Sequence, residues 1–157
     1  MKRKVYVETS VASYLTARPS RDLVVAAHQE LTLEWWTNSR QRFDLFISEL
    51  VLREASKGDP SAAAKRVSEL AGIPLLPIND DVATLARSLI DRRVVPERAV
   101  EDALHLAVAV SHGMDFLLTW NCRHIANAEV IERLEDACLQ LGLQVPTLCT
   151  PEQLMGD

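Results

Sequence analysis

The sequence predicts an α/β fold: a three-layer α/β/α sandwich around a central, mainly parallel sheet. Three observations predict it. Short apolar runs recur along the chain, each followed by a longer segment of helical character, and such alternation builds a parallel sheet covered on both faces. The run FLLTW at 116–120 is almost continuously apolar, as a strand buried on both faces requires. The 157 residues contain no internal repeat, linker or low-complexity segment, which fits one domain spanning 1–157 with a substantial core.

Taken in order, residues 4–8 read as the first strand, with Val5 and Val7 on one face and Tyr6 and Glu8 on the other. A short helix follows over 9–17, and TARPSRD is a loop broken at Pro19. DLVVAAHQELTLEWWTNSRQR, 22–42, predicts a long amphipathic helix capped by Ser20. FDLFI at 43–47 is the second strand, and Ser48 is placed to cap the helix carrying LVLREA. GDP at 58–60 breaks that helix, and 61–71 forms the next. PLLPI at 74–78 reads as a short strand and 80–93 as a helix. Pro96, at a favoured first-turn position, begins a helix reaching about 112. FLLTW is the fourth strand, 127–141 a helix ending near Gly142, and 145–149 a last strand.

Composition narrows the function. The chain carries 22 acidic against 17 basic residues, a formal charge of −5, the opposite of what a passive nucleic-acid-coating protein needs. Metal-dependent chemistry on a nucleic acid stays open, because carboxylates can gather cations. No apolar run is long enough to span a membrane. The basic start MKRKVYVETS is interrupted at Glu8 before any signal-peptide core forms. Cys122, Cys138 and Cys149 are widely spaced and odd in number, which fits a reduced, cytoplasmic protein and no common zinc motif.

Four polar positions need an explanation. In EDALHLAVAV every residue from Ala103 to Val110 is apolar except His105, so Asp102 opens a largely buried helix. A carboxylate there must be paired, hydrogen-bonded or bound to metal. Two readings are open: an ion pair with Arg98 one turn earlier, or a functional acid. Glu101, about 100° further round, reads as solvated. In SELVLREA, Glu54 falls about 60° from the centre of the apolar face and Glu49 about 160° away. Glu54 is therefore the site candidate, and Glu49 a surface acid that suits the helix dipole. Asn121 follows the buried strand at its carboxyl end, the same end of the sheet as Glu8, while Asp115 lies roughly 20 Å away at the other end. Taken alone, Asn121 reads first as a turn or cap residue, and Glu8 as a solvated strand-end acid. Arg123 and His124 could face a phosphate or plain solvent.

Together these stretches resemble the PIN-domain family, in particular the VapC-like toxins of bacterial type II toxin–antitoxin systems. The resemblance rests on VYVETS, on ISELVLREA with Glu54, on DALHLAVA with Asp102 and on LLTWN with Asn121, in that order, across about residues 3–150. It implies a metal-dependent ribonuclease in which acids from distant segments meet at the carboxyl end of a parallel sheet. Glu8, Glu54 and Asp102 would then bind Mg²⁺ or Mn²⁺ directly or through water, and Asn121 would complete the catalytic cluster. Thr9 or Ser10 would orient a ligand or the attacking water. His105 is expected to be a buried structural histidine, with support of Asp102 as the lesser reading.

The resemblance also implies an RNA substrate, a cognate antitoxin protein as partner and a homodimer. An apolar face with Leu33, Trp35 and Trp36 would serve either a partner or the core. Two departures stand out. The family usually has Asp where this chain has Glu8, longer by about 1.5 Å, and often Asp where it has Asn121. Three carboxylates suffice for one cation, so one-metal hydrolysis is expected. The competing reading is a PIN-fold RNA- or antitoxin-binding regulator with weak or no nuclease activity. A metal-dependent phosphatase on another α/β fold lacks the usual D-x-D after the first strand.

Overall fold

Val5, Tyr6 and Val7 lose all contact with water, and so do Leu117 and Leu118. Runs this short, buried on both faces, satisfy their backbone here as the inner strands of a sheet. The computed structural model of the protein, which describes residues 1–156, pairs them accordingly. β1 (Arg3–Val7) lies between β2 (Phe43–Ser48) and β4 (Phe116–Leu118), with β3 (Leu75–Leu76) and β5 (Thr147–Cys149) at the edges. The order is β3-β2-β1-β4-β5, and every pairing among the described residues is parallel.

The connections are helical: α1 (Thr9–Thr16), α2 (Leu23–Glu34), α3 (Glu49–Ala55), α4 (Pro60–Leu70), α5 (Asp80–Asp91), α6 (Val100–Ser111) and α7 (Ala128–Leu141). Right-handed crossovers put α1–α4 on one face and α5–α7 on the other. The packing agrees, since α1 touches α2, α3 and α4 while α5 packs on α6. The chain steps one way from β1 to β3 and the other way from β4 to β5. The gap between the carboxyl ends of β1 and β4 is therefore the switch point where open α/β sheets collect ligands. No helix among the described residues is long and apolar enough to cross a membrane.

Several boundaries differ from the sequence reading, each for a physical reason. The strand of PLLPI shrinks to Leu75–Leu76, and the last strand begins at Thr147, after Pro146, because proline has no N–H for the ladder. α2 is capped by Asp22, whose carboxylate accepts from Val24 N and Val25 N at 2.9 and 3.0 Å. Ser20 receives only Asp22 N. The long helix over 22–42 ends at Glu34 and continues as a π turn (Trp35–Ser39) and a 3₁₀ turn (Arg40–Arg42). That irregularity buries both tryptophans. It also aims Trp35 Nε1 and Arg42 at the carbonyl of Leu154, in a terminal 3₁₀ turn (Pro151–Leu154) that the pattern did not predict. Of the apolar face with Leu33, Trp35 and Trp36, the tryptophans are core and only Leu33 is exposed.

α4 starts at Pro60 under an Asp59 cap. α6 starts at Val100 rather than Pro96: Val94 and Val95 are buried and pin the approach, and Ala99, at φ −93° and ψ 49°, is not yet helical. Asp102 therefore sits in the first turn of α6. Arg98 is not on the helix, so the one-turn spacing behind an Arg98–Asp102 ion pair does not exist. Gly142, at φ 69°, ends α7 in the left-handed conformation that glycine adopts without cost.

Candidate active site

Glu8 leaves β1 with its own N–H still on the carbonyl of Leu118 and becomes the N-cap of α1. Its Oε2 accepts from Ser10 N at 3.2 Å, and its Oε1 accepts from Ser10 Oγ and Thr119 Oγ1 at 2.5 Å each. Glu is an unusual cap, shorter acids being preferred. The extra methylene lets one carboxylate serve its own helix and still reach across to the segment after β4. That segment is stitched to the same group: Ser10 Oγ accepts from Trp120 N, and Thr119 Oγ1 from Asn121 N, both at 2.8 Å. Glu8 is only 7% exposed.

Glu54, on the last turn of α3, accepts from Thr9 Oγ1 at 2.6 Å and lies 2.7 Å from His105 Nε2. His105 is buried, and its Nδ1 is 2.8 Å from Tyr6 OH, itself 2.8 Å from Ser48 Oγ. Ser48 precedes α3 in the N-cap position but makes no side-chain cap, because its hydroxyl is spent on Tyr6. Burial pushes the Tyr6 phenol up, so it keeps its proton. Nε2–H donates to Glu54, and Nδ1 meets Tyr6 OH, which donates to the neutral ring and accepts from the imidazolium. The histidine's partner is therefore Glu54 and not Asp102. Burial alone would raise the Glu54 carboxyl, but the hydrogen bond and charge of His105, with smaller help from Thr9, hold it down at about 2. Burial likewise disfavours the imidazolium, yet Glu54, Glu8 and Asp102 together leave His105 above its ordinary value.

Asp102 is half-buried. Its Oδ1 accepts from Asn121 Nδ2 at 3.0 Å, and His124 Nδ1 lies 3.0 Å from its Oδ2. Asn121 Oδ1 accepts from the backbone of Arg123 and His124 at 3.3 and 3.0 Å. Two N–H groups facing that oxygen leave the amide nitrogen, and no other atom, to meet Asp102. The Asn121 carbonyl thus closes its own turn, and its amide meets Asp102 as a donor.

These segments converge at the switch point. One oxygen each of Glu8 and Glu54 and one nitrogen of His105 lie within 4.8 Å of one another. Two carboxylates that close repel by about 3 kcal/mol at an effective dielectric of ~20. Asp102, one turn before His105 on α6, adds a third negative charge. Both His105 nitrogens are engaged, which leaves carboxylate oxygens as the available donors. That donor set fits a hard divalent cation such as Mg²⁺ or Mn²⁺.

Glu49 is exposed, and Asp115 holds Lys4 N at the far end of β4. Thr119, Tyr6 and His124 were not anticipated as partners. The signals were indirect: Thr119 is the hydroxyl residue of LLTWN, Tyr6 shares the strand face of Glu8, and His124 follows Asn121. Glu101 is exposed as expected, but its interaction with Glu54 pushes its carboxyl up. The three cysteines are free, with Cys122 exposed and the others buried.

Residues 5–130 match the PIN domain family. Among curated proteins none matches the chain. Among solved structures, VapC20 of Mycobacterium tuberculosis, described as a sarcin-ricin loop cleaving toxin, is similar at 18% identity and a TM-score of 0.59 over 76% of this chain and 92% of that one. VapBC2 from Rickettsia felis, solved bound to a DNA fragment from its promoter, is similar at 12% identity and a TM-score of 0.53 over 94% of this chain and 98% of that one. At such identities the likeness is one of fold.

Proposed function

The chain belongs to the PIN domain family, and on that premise we propose that it is a metal-dependent endoribonuclease that hydrolyses RNA phosphodiester bonds as the toxin of a toxin–antitoxin pair. One observation carries the reading: Glu8 and Glu54, from distant segments, bring carboxylate oxygens within 4.8 Å of one another beside His105, one turn from Asp102, with donors suited to Mg²⁺ or Mn²⁺. When bound, such a cation supplies Lewis-acid polarisation of the phosphate and activation of water.

This chain's residues have separable parts in that chemistry. Glu8, Glu54 and Asp102 hold the cation. Ser10 and Thr119 orient Glu8, while Thr9 and His105 orient Glu54 and keep it ionised. Both hydroxyls of the Thr9–Ser10 pair donate to carboxylates, which favours positioning of ligands over positioning of the attacking water. Asn121 and His124 fix Asp102. An amide on Asp102, where a fourth acid would demand a second cation, favours one-metal hydrolysis.

The same amide supports the second reading, a PIN-fold regulator that holds RNA or an antitoxin without cutting. The partner proposed in either case is a small DNA-binding antitoxin, by analogy with the promoter-bound VapBC2. A homodimer and a cytoplasmic location complete the proposal. Purified protein incubated with structured RNAs and Mn²⁺ tests it. Cleavage lost in Asp102→Asn and Glu8→Gln supports the nuclease; equal cleavage in all three proteins would refute it, and RNA binding without cleavage would favour the regulator.

A further inference from the structure

Trp120 stands between Thr119, which holds Glu8, and Asn121, which holds Asp102. Its indole is 8% exposed and does not pack against the sheet residues alone. The imidazole of His28 lies flat on it, with centroids 4.1 Å apart and planes 13° from parallel. Tyr14 meets both rings edge-on, at 6.1 Å from His28 and 5.8 Å from Trp120. The stack is rigid from below: Trp120 Nε1 donates to the buried Thr32 Oγ1 at 2.7 Å, and that hydroxyl donates to the carbonyl of His28 at 2.6 Å.

From above it is open, because Tyr14 and His28 are both partly exposed. A polar ring held by stacking, on a helix whose only fully buried residue is Thr32, is a poor core element. It is a good platform.

Its position gives it a use. Tyr14 lies one turn of α1 beyond Ser10, about 6 Å along the axis, on the face that binds Glu8. On the other side, Gln29 pins the loop over 17–22 by donating to the carbonyl of Arg18 at 3.0 Å and accepting from Ser20 N at 2.9 Å. Arg18 and Arg21 of that loop are exposed, as is Arg123 beyond the acids. Aromatic faces flanked by cations are how proteins hold single-stranded nucleic acid, since every base has a π face and every phosphate a charge.

We propose that Tyr14 and His28, backed by Trp120, form a stacking platform for an unpaired base next to the phosphate presented to Glu8, Glu54 and Asp102. The platform selects single-stranded stretches of RNA, because the bases of a duplex are already stacked on one another. It rests on the ribonuclease reading above. His28 is a substrate-positioning residue and takes no part in the bond-breaking step.

Binding of a fluorescein-labelled single-stranded RNA dodecamer, measured by anisotropy in EDTA so that nothing is cut, tests the platform. His28→Ala and His28→Leu should each weaken binding about tenfold, the scale of one lost base–aromatic stack, while His28→Phe retains it. With Mn²⁺ present the loss should fall on KM rather than on kcat. Wild-type affinity in His28→Ala, an equal loss in His28→Phe, or equally tight binding of the matching duplex would overturn the platform while leaving the ribonuclease reading intact. A wild-type protein that neither binds nor cleaves RNA would overturn both.

Discussion

Glu8 does two things at once from one backbone position. It caps α1 through Ser10 N and reaches Thr119 beyond β4, so the longer carboxylate ties two strands' ends together. Glu54 depends on its neighbours in another way. Its carboxyl, ordinarily at 4.5, is held at about 2 against the upward push of burial, chiefly by His105. A folded value below the unfolded one contributes stability that is complete above about pH 4.5 and is lost as pH falls toward 2. In metal-free buffer the melting temperature of the wild type should therefore fall more steeply over that window than that of Glu54→Gln. Parallel slopes would mean that His105 does not stabilise the ionised carboxylate.

At the scale of elements, the caps decide where helices begin, and the beginnings place the acids. Asp22 rather than Ser20 satisfies the first N–H groups of α2. Asp22→Ala should cost about 1 kcal/mol of stability and Ser20→Ala well under half of that, by denaturant unfolding; the reverse ranking would contradict the cap.

The sheet was legible in the sequence because apolar runs and helical stretches alternate, and burial on both faces leaves a continuous pattern such as FLLTW. Strand ends were less so, since a Pro or a cap trims them by one or two residues. Asp102 was legible as an acid opening an apolar helix, set about 100° round from its solvated neighbour Glu101. Its partners were not: the Arg98 pairing presumed a helix from Pro96, and the turn over 96–99 removes it. The partner of His105 comes from α3, a segment 51 positions away, and no periodicity along a chain reveals such a meeting. Whether Asn121 offers its oxygen or its amide to Asp102 depends on two backbone N–H groups of a turn, which the residue type alone does not disclose.

For the whole molecule, the topology explains why distant acids meet. The chain reverses direction between β1 and β4, and the opening left there receives Glu8 from one strand, Asn121 after the other, and Glu54 and Asp102 from helices on opposite faces. The fold thus concentrates negative charge in a place where the sheet gives it little water. A divalent cation relieves that repulsion, so the metal-free protein should take one up. Titration of the metal-free protein with Mn²⁺, followed by the electron paramagnetic resonance signal of the free ion, tests it most directly. One ion should be held tightly per chain, with binding at least about tenfold weaker in Glu8→Gln, Glu54→Gln and Asp102→Asn, the loss expected when a charged ligand becomes neutral. A wild-type protein that leaves Mn²⁺ free at millimolar concentration, or variants that bind it as tightly, would contradict it.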